Sequence, residues 1–309
     1  MVLGKLENIV TILVAMKIDG HLKGAVLTGT GILILSPDAL LIRLIDADIW
    51  TILFWRGLLC GITMILIGLF IDRPKGIKQL FKIEWPELQV ISVTACMHFL
   101  FVLAILNTAV ANTLVIMSIS PLLSALLSLL ILHEQVARRT WFTTIAVFFG
   151  LAMIFSQSIG GGTLLGDASA FGVAVSLACN FVLLRRYRQV NMIPAVAWGM
   201  VLGALIAWPL ATPMSLGNVD WLYMLLLGLV ILPISTTLIT LGPKYLPAPE
   251  VGLIMLLEAI FGPLWVWLVI HETPSLETLI GGAMILLTLS WISIVTIRDT
   301  RTEITISSK

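Results

Sequence analysis

Residues 251–270 read VGLIMLLEAIFGPLWVWLVI, a run in which Glu258 is the one charge and Pro263 the one proline. A helix of about 20 apolar residues crosses the roughly 30 Å of hydrocarbon in a bilayer, so the run is expected to span a membrane. Its carboxylate then sits near the midplane, where water does not solvate it. Apolar runs of similar length recur along the chain, ten in all, at roughly 24–44, 50–71, 88–108, 110–133, 141–158, 168–187, 193–212, 220–240, 249–270 and 276–297. Composition agrees: 59% of the 309 residues are hydrophobic and 11% charged, against roughly 25% charged in soluble domains. An all-α polytopic membrane protein with ten transmembrane helices is expected.

Basic residues orient such a chain. With the N-terminus cytoplasmic, sixteen of the eighteen Lys and Arg fall on the inner side, and the other two, Arg43 and Arg56, lie within spans. Both termini are therefore expected in the cytoplasm. Residues 1–23 read as a cytoplasmic tail or a surface-lying amphipathic helix, too interrupted by Glu7 and Asn8 for a secretory signal, with Met16 as a second candidate start. Cys60, Cys96 and Cys179 all fall inside apolar runs and form neither a disulfide framework nor a metal-ligand pattern. No cofactor, metal or nucleic-acid partner is expected, and a homodimer is left open.

The chain repeats itself. SPDALLIRLI (36–45) aligns with ACNFVLLRRY (178–187) at a shift of 142, which also places Gly24 on Gly166 and GLLCG (57–61) on GMVLG (199–203). SPLLSALLSLLILHE (120–134) meets EAIFGPLWVWLVIHE (258–272) at a shift of 138, so four residues are lost between the copies, in the loop joining the second and third helices. Each half holds five spans, an odd number, and the second copy must enter the membrane inverted. The expected organisation is a tail at 1–23, a first repeat at 24–158, an external linker at 159–166, a second repeat at 167–297 and a cytoplasmic tail at 298–309. The Gly-rich SIGGGTLLG (158–166) lacks the preceding strand and the Lys-Ser/Thr of a phosphate loop.

Two inverted five-helix repeats, the closing segments SPLLSALLSLLILHE and LLEAIFGPLWVWLVIHE of the fourth and ninth helices, and the Gly166-Asp167 start of the sixth resemble the drug/metabolite transporter superfamily, specifically its EamA-type members. In that family the fourth and ninth helices commonly close with Gly-Glu, whereas here His133 and His271 precede Glu134 and Glu272. The resemblance implies a carrier with a central cavity between the halves, working by alternating access and often exporting small metabolites or amino acids.

Asp38, Arg56, His98 and Glu258 remain as ionisable side chains inside the spans, each costing at least about 2.5 kcal/mol if left facing lipid. Asp38 and Arg56 fall at matched depth on adjacent helices, about 10 Å below the outer surface by helical rise. They are expected to face each other, as a structural ion pair or as a device in which Arg56 holds a substrate carboxylate that Asp38 releases on protonation. Their repeat-mates, Asn180 and Trp198, are uncharged. His98 is expected to bond a neighbouring helix, with Asn112, Ser118, Ser120 and Thr236 as partners, or to relay protons. The repeat-mate of Glu258 is Ser120, so the fold itself does not demand a carboxylate there. Glu258 either stays protonated and donates a hydrogen bond across the repeat interface, or loads a proton on one side of the membrane and loses it on the other.

Trp265, one or two turns beyond Glu258, is expected to line the cavity, while Gly57 with Gly61 and Gly199 with Gly203 are packing seams. Pro37, Pro121, Pro233 and Pro263 interrupt four spans, two in each half, where carriers bend and bind. No ATP-binding motif is present and the loops leave no room for a soluble catalytic domain. A secondary active transporter of small metabolites, amino acids or related organic compounds, is therefore expected, working as an exporter in a bacterial cytoplasmic membrane, with coupling to protons through Glu258. The alternatives are an intramembrane enzyme, for which the four histidines would have to share a segment and do not, and a receptor or scaffold, for which an inverted repeat has no evident use.

Overall fold

A computed structural model of the protein describes residues 20–71, 83–132, 149, 150, 153, 163–288 and 291. Its helices are α1 (Gly20–Leu35), α2 (Asp38–Leu44), α3 (Ile49–Ile71), α4 (Trp85–Asn107), α5 (Val110–Met117) and α6 (Ser120–Leu132) in the first half. The second half holds α7 (Leu164–Arg186), α8 (Ile193–Ala207), α9 (Asn218–Leu226), α10 (Leu232–Tyr245), α11 (Ala248–Ile254), α12 (Leu256–Ile270) and α13 (Leu276–Thr288). Taken with their continuations, these give 8 described helices long and apolar enough to cross a membrane, and the protein is an integral multi-pass membrane protein.

Of the ten expected spans, the fifth lies almost wholly outside the described residues and the tenth is described as α13, too short by itself for a full crossing. The count of ten is thus not reached among the described residues. Gly150, in the expected fifth span, lies so close to α13 that a Cβ there would come within 2.7 Å of Ile285 and 2.9 Å of the Gly281 carbonyl. The expected linker and both tails also fall mostly outside the described residues.

Local chemistry sets the helix ends. Asp48 starts α3: its Oδ1 accepts the amides of Trp50 and Thr51, and its Oδ2 accepts the hydroxyls of Thr51 and Thr212. Partial burial pushes the Asp48 carboxyl upward, but the hydrogen bonds from Thr51, Thr212 and Trp50 outweigh it and hold the group below its ordinary value. At α4, Glu84 and Glu87 form a capping box with Pro86 in the first turn, where a missing amide hydrogen costs nothing. Between α4 and α5 the chain turns at Thr108 and Ala109 alone, in a gap so short that only Asn107 and Thr108 mark it in the sequence.

Three spans are broken and a fourth is loosened along their length. The first breaks at Ser36 and Pro37 between α1 and α2, and the fourth at Ser118 and Ile119 between α5 and α6. The eighth loosens into a π-helix at Leu227–Ile231 just before Pro233. The ninth breaks at Met255, between α11 and α12. At the shift of 138, Met255 is the repeat-mate of Met117, the last residue of α5, so the fourth and ninth spans break within about a residue or two of the same place in their repeats. The expectation that Pro263 weakens the ninth span is corrected in position: α12 runs through Pro263, and the discontinuity falls eight residues earlier.

The halves exchange partners. α1 packs along α10 and α7 along α4, so the first helix of each repeat lies against the third of the other, while α8 packs on both α3 and α4. Glycines make these approaches possible. A Cβ on Gly24 would lie 2.7 Å from Tyr245, and one on its repeat-mate Gly166 2.6 Å from the Asn107 backbone. A Cβ on Gly57 would lie 2.6 Å from the Met200 carbonyl, and one on Gly199 2.6 Å from Thr94. Both small-residue motifs are thus seams of the inverted pair, where close backbone approach replaces the hydrophobic drive that lipid cannot supply.

Candidate functional site in the central cavity

Broken helices carry their carboxylates at helix N-termini. Asp38 is the first residue of α2 and Glu258 lies in the first turn of α12, where unpaired amides and the helix dipole favour negative charge. Both side chains reach a central cavity of about 100 Å3. A single water needs only roughly 10–15 Å3 by the same measure, so several fit. Its polar lining is Asp38, Arg56, Thr94 and His98 from the first half and Asn180, Thr236, Thr240 and Glu258 from the second; the rest is apolar, with Phe101, Phe181, Met117, Met200 and Met255.

Asp38, Arg56, His98 and Glu258 are 2%, 4%, 1% and 5% exposed. Arg56, on α3, holds Asp38 with two nitrogens, Nη2 to Oδ2 at 2.6 Å and Nε to Oδ1 at 3.4 Å. Its Nη1 donates to His98 Nδ1 at 2.6 Å, and its guanidinium lies 5.2 Å from the Phe101 ring centre. His98 Nε2 is 3.1 Å from the Leu53 carbonyl, which accepts only, so the proton is on Nε2 and Nδ1 is the bare nitrogen that accepts from Arg56. The imidazole is neutral in this arrangement, because a second proton would set two cations against each other. Asp38 and Arg56 thus face each other as expected. His98 does bond its neighbours, but the partners are Arg56 and Leu53; of the expected ones, Asn112 bonds Thr278 and Thr108, and Ser118 its own helix.

Glu258 stands apart. Among the described residues its carboxyl makes no hydrogen bond or ion pair, and it borders both the main cavity and a smaller one under Ser118 and Ala259. Its repeat-mate Ser120 is buried at the start of α6 and does not line the main cavity. Asn180, the repeat-mate of Asp38, does line it and donates to the Thr94 hydroxyl at 3.0 Å. Thr236, the counterpart of His98 at the shift of 138, lines it too. Trp265 lies outside the cavity, 43% exposed, with its Nε1 donating to Ser36 at the break of the first span. It lies on the same continuous helix as Glu258 but seven residues on, about 10 Å further along the axis, and so beyond the end of the cavity.

One cavity group carries little signal in the sequence, and one that the sequence does mark has a structural role. Thr94 reads there as an ordinary small residue of an apolar span. Glu272 reaches the amide of Val110 at 3.0 Å and sits 3.7 Å from Arg43, whose Nη2 donates to the Thr108 carbonyl at 2.6 Å. The His271 before it adopts φ 60°, a left-handed conformation that favours glycine and that among the described residues no other non-glycine takes. A glycine-glutamate ending at this point is therefore a helix terminator followed by a cap for the neighbouring span, and histidine fills the first role under strain.

Models of the EamA-like transporter family match residues 23–156 and 164–294. Among solved structures, one crystal structure of a protein superposes with a TM-score of 0.69 at 19% identity, covering 89% of this chain and 98% of the other; at that identity the likeness is one of fold. No curated protein matches the sequence.

Proposed function

The chain belongs to the EamA-like transporter family, a family of small-molecule membrane transporters, and from that premise we propose that it is a proton-coupled secondary carrier exporting small organic metabolites. The observation that carries the proposal is a cavity walled by both inverted halves, into which an unpartnered buried carboxyl, Glu258, projects beside a helix break. Alternating access needs two halves that can exchange roles around a fixed site, and four interrupted spans supply the bends. Burying a carboxylate without a partner costs several kcal/mol, so the group is stable only when it holds a proton or faces a hydrated or charged occupant. A carboxyl that must change occupant to change exposure ties proton movement to the reorientation of the halves. The Asp38, Arg56 and His98 cluster is the fixed wall of this site, joining α2, α3 and α4. With the positive residues inside, the chain sits in a bacterial cytoplasmic membrane with both termini in the cytoplasm.

The test is transport in proteoliposomes. Glu258→Gln is expected to insert and fold, to lose pH-dependent net flux, and to keep substrate-for-substrate exchange. Net flux in Glu258→Gln with the wild-type pH profile overturns proton coupling.

A further inference from the structure

We infer that this cavity, given the carrier function above, selects small organic cations, ammonium compounds with an apolar body and no carboxylate of their own, and that substrate and proton occupy Glu258 in turn.

The inference rests on where each buried charge finds its partner. Arg56 is the one cation lining the cavity, and three of its nitrogens are already committed, two to Asp38 and one to His98. Asp38 balances its charge. His98 is neutral and has both ring nitrogens engaged. The cluster is therefore electrically closed. A substrate carboxylate could reach Arg56 only by displacing Asp38, which would leave that carboxylate 2% exposed and without its cation, a loss on the order of 3–5 kcal/mol.

Glu258 has no such partner. The charged groups facing it in the cavity are Asp38 and Arg56, which are paired with each other, and the remaining titratable group there is the neutral His98. When Glu258 is ionised the cavity carries one uncompensated negative charge, and either a proton or a cationic ligand removes it. A zwitterion satisfies that charge with its ammonium end and brings a second carboxylate into a wall that has no free cation for it. The rest of the wall suits an apolar body: Met117, Met200 and Met255 are adaptable, and Phe101 and Phe181 offer aromatic surface.

The test is binding to the purified full-length protein in detergent, by calorimetry and thermal stabilisation, with two matched trios: phenethylamine, hydrocinnamate and phenylalanine; butylamine, valerate and norvaline. Each amine is expected to bind about tenfold or more tighter than the acid and the amino acid of its trio. Affinity for the amine should weaken as pH is lowered, since protons compete for the same carboxylate, and binding should release protons to the buffer. Glu258→Gln should bind amines about tenfold or more weakly and without that pH dependence, whereas Glu258→Asp, which keeps the charge, retains the preference for amines. Acids or amino acids binding as tightly as amines, no amine binding, or undiminished amine affinity in Glu258→Gln would overturn the inference. Should Glu258→Gln not fold, the proton release of the wild type decides. Measured transport of a zwitterion would keep the carrier function and remove this selectivity.

Discussion

Asp38 and Arg56 show how a membrane protein keeps two charges in hydrocarbon. Each alone is costly to bury, and together they form a two-point contact that a third residue, His98, completes from the next helix. Asp38→Asn or Arg56→Gln is expected to lower stability by about 3–5 kcal/mol, because each leaves the other charge buried and unpaired. The double variant should recover part of that loss, read as thermal stability in detergent and as membrane yield. Losses that simply add would mean that the contact contributes little. Recovery of stability without recovery of flux would give Arg56 a second duty in binding. Glu258 obeys the opposite logic: its isolation, which makes it a poor structural element, is what makes it fit to exchange a proton for a ligand.

Among the elements, the α3–α8 seam is the most demanding. A Cβ at Gly57 would meet the Met200 carbonyl at 2.6 Å, and one at Gly61 would meet Val201 at 2.5 Å and the Ala197 carbonyl at 2.8 Å. Backbone carbonyls cannot step aside as a flexible side chain does. Gly57→Ala or Gly61→Ala is therefore expected to destabilise by about 1–3 kcal/mol. Gly68, on the same helix, has nothing within 4 Å of a built Cβ, so Gly68→Ala should be neutral or stabilising by up to about 1 kcal/mol. Equal effects at the three positions, in the same melting assay, would show that helix propensity rather than packing decides. The same seam touches the site, since a Cβ at Gly203 would come within 2.9 Å of the His98 ring. Packing of α8 thus holds the imidazole that holds Arg56.

At the scale of the whole molecule, the connections sort to two ends. Asp46 bonds Asp220, Thr51 bonds Thr212, and Glu272 bonds Val110, which gathers four turns of the chain at one end. His21 with Glu250 and Arg185 with the Pro243 carbonyl mark the other. In the orientation proposed above, with the basic residues inside, the first of these ends is external. Cysteines replacing Gly161 and Asn218 are expected to react with an impermeant thiol reagent added outside intact cells, and a cysteine replacing Lys78 is not; Gly161 and Lys78 lie outside the described residues. Labelling at Lys78 in place of Asn218 would invert the molecule. The native Cys60, Cys96 and Cys179 lie within spans and should stay silent.

The amino-acid sequence by itself determined that the chain lives in a bilayer, because transfer of a twenty-residue apolar helix into lipid is a local property that sums along the chain. It also determined the two repeats and the matched depth of Asp38 and Arg56, since depth on adjacent helices follows from helical rise alone. Only the tertiary structure decided which helix face meets which. The ninth span breaks at Met255 rather than Pro263, and Trp265, about 10 Å along the helix from Glu258, meets Ser36 at the break of the first span instead of the cavity. His98 reaches Arg56 instead of Asn112, Ser118, Ser120 or Thr236, its ring held where Gly203 brings α8 close against α4. Helix phase after a break, and the partner chosen by a buried polar group, depend on contacts between segments distant in the chain; no local sum of residue preferences contains them.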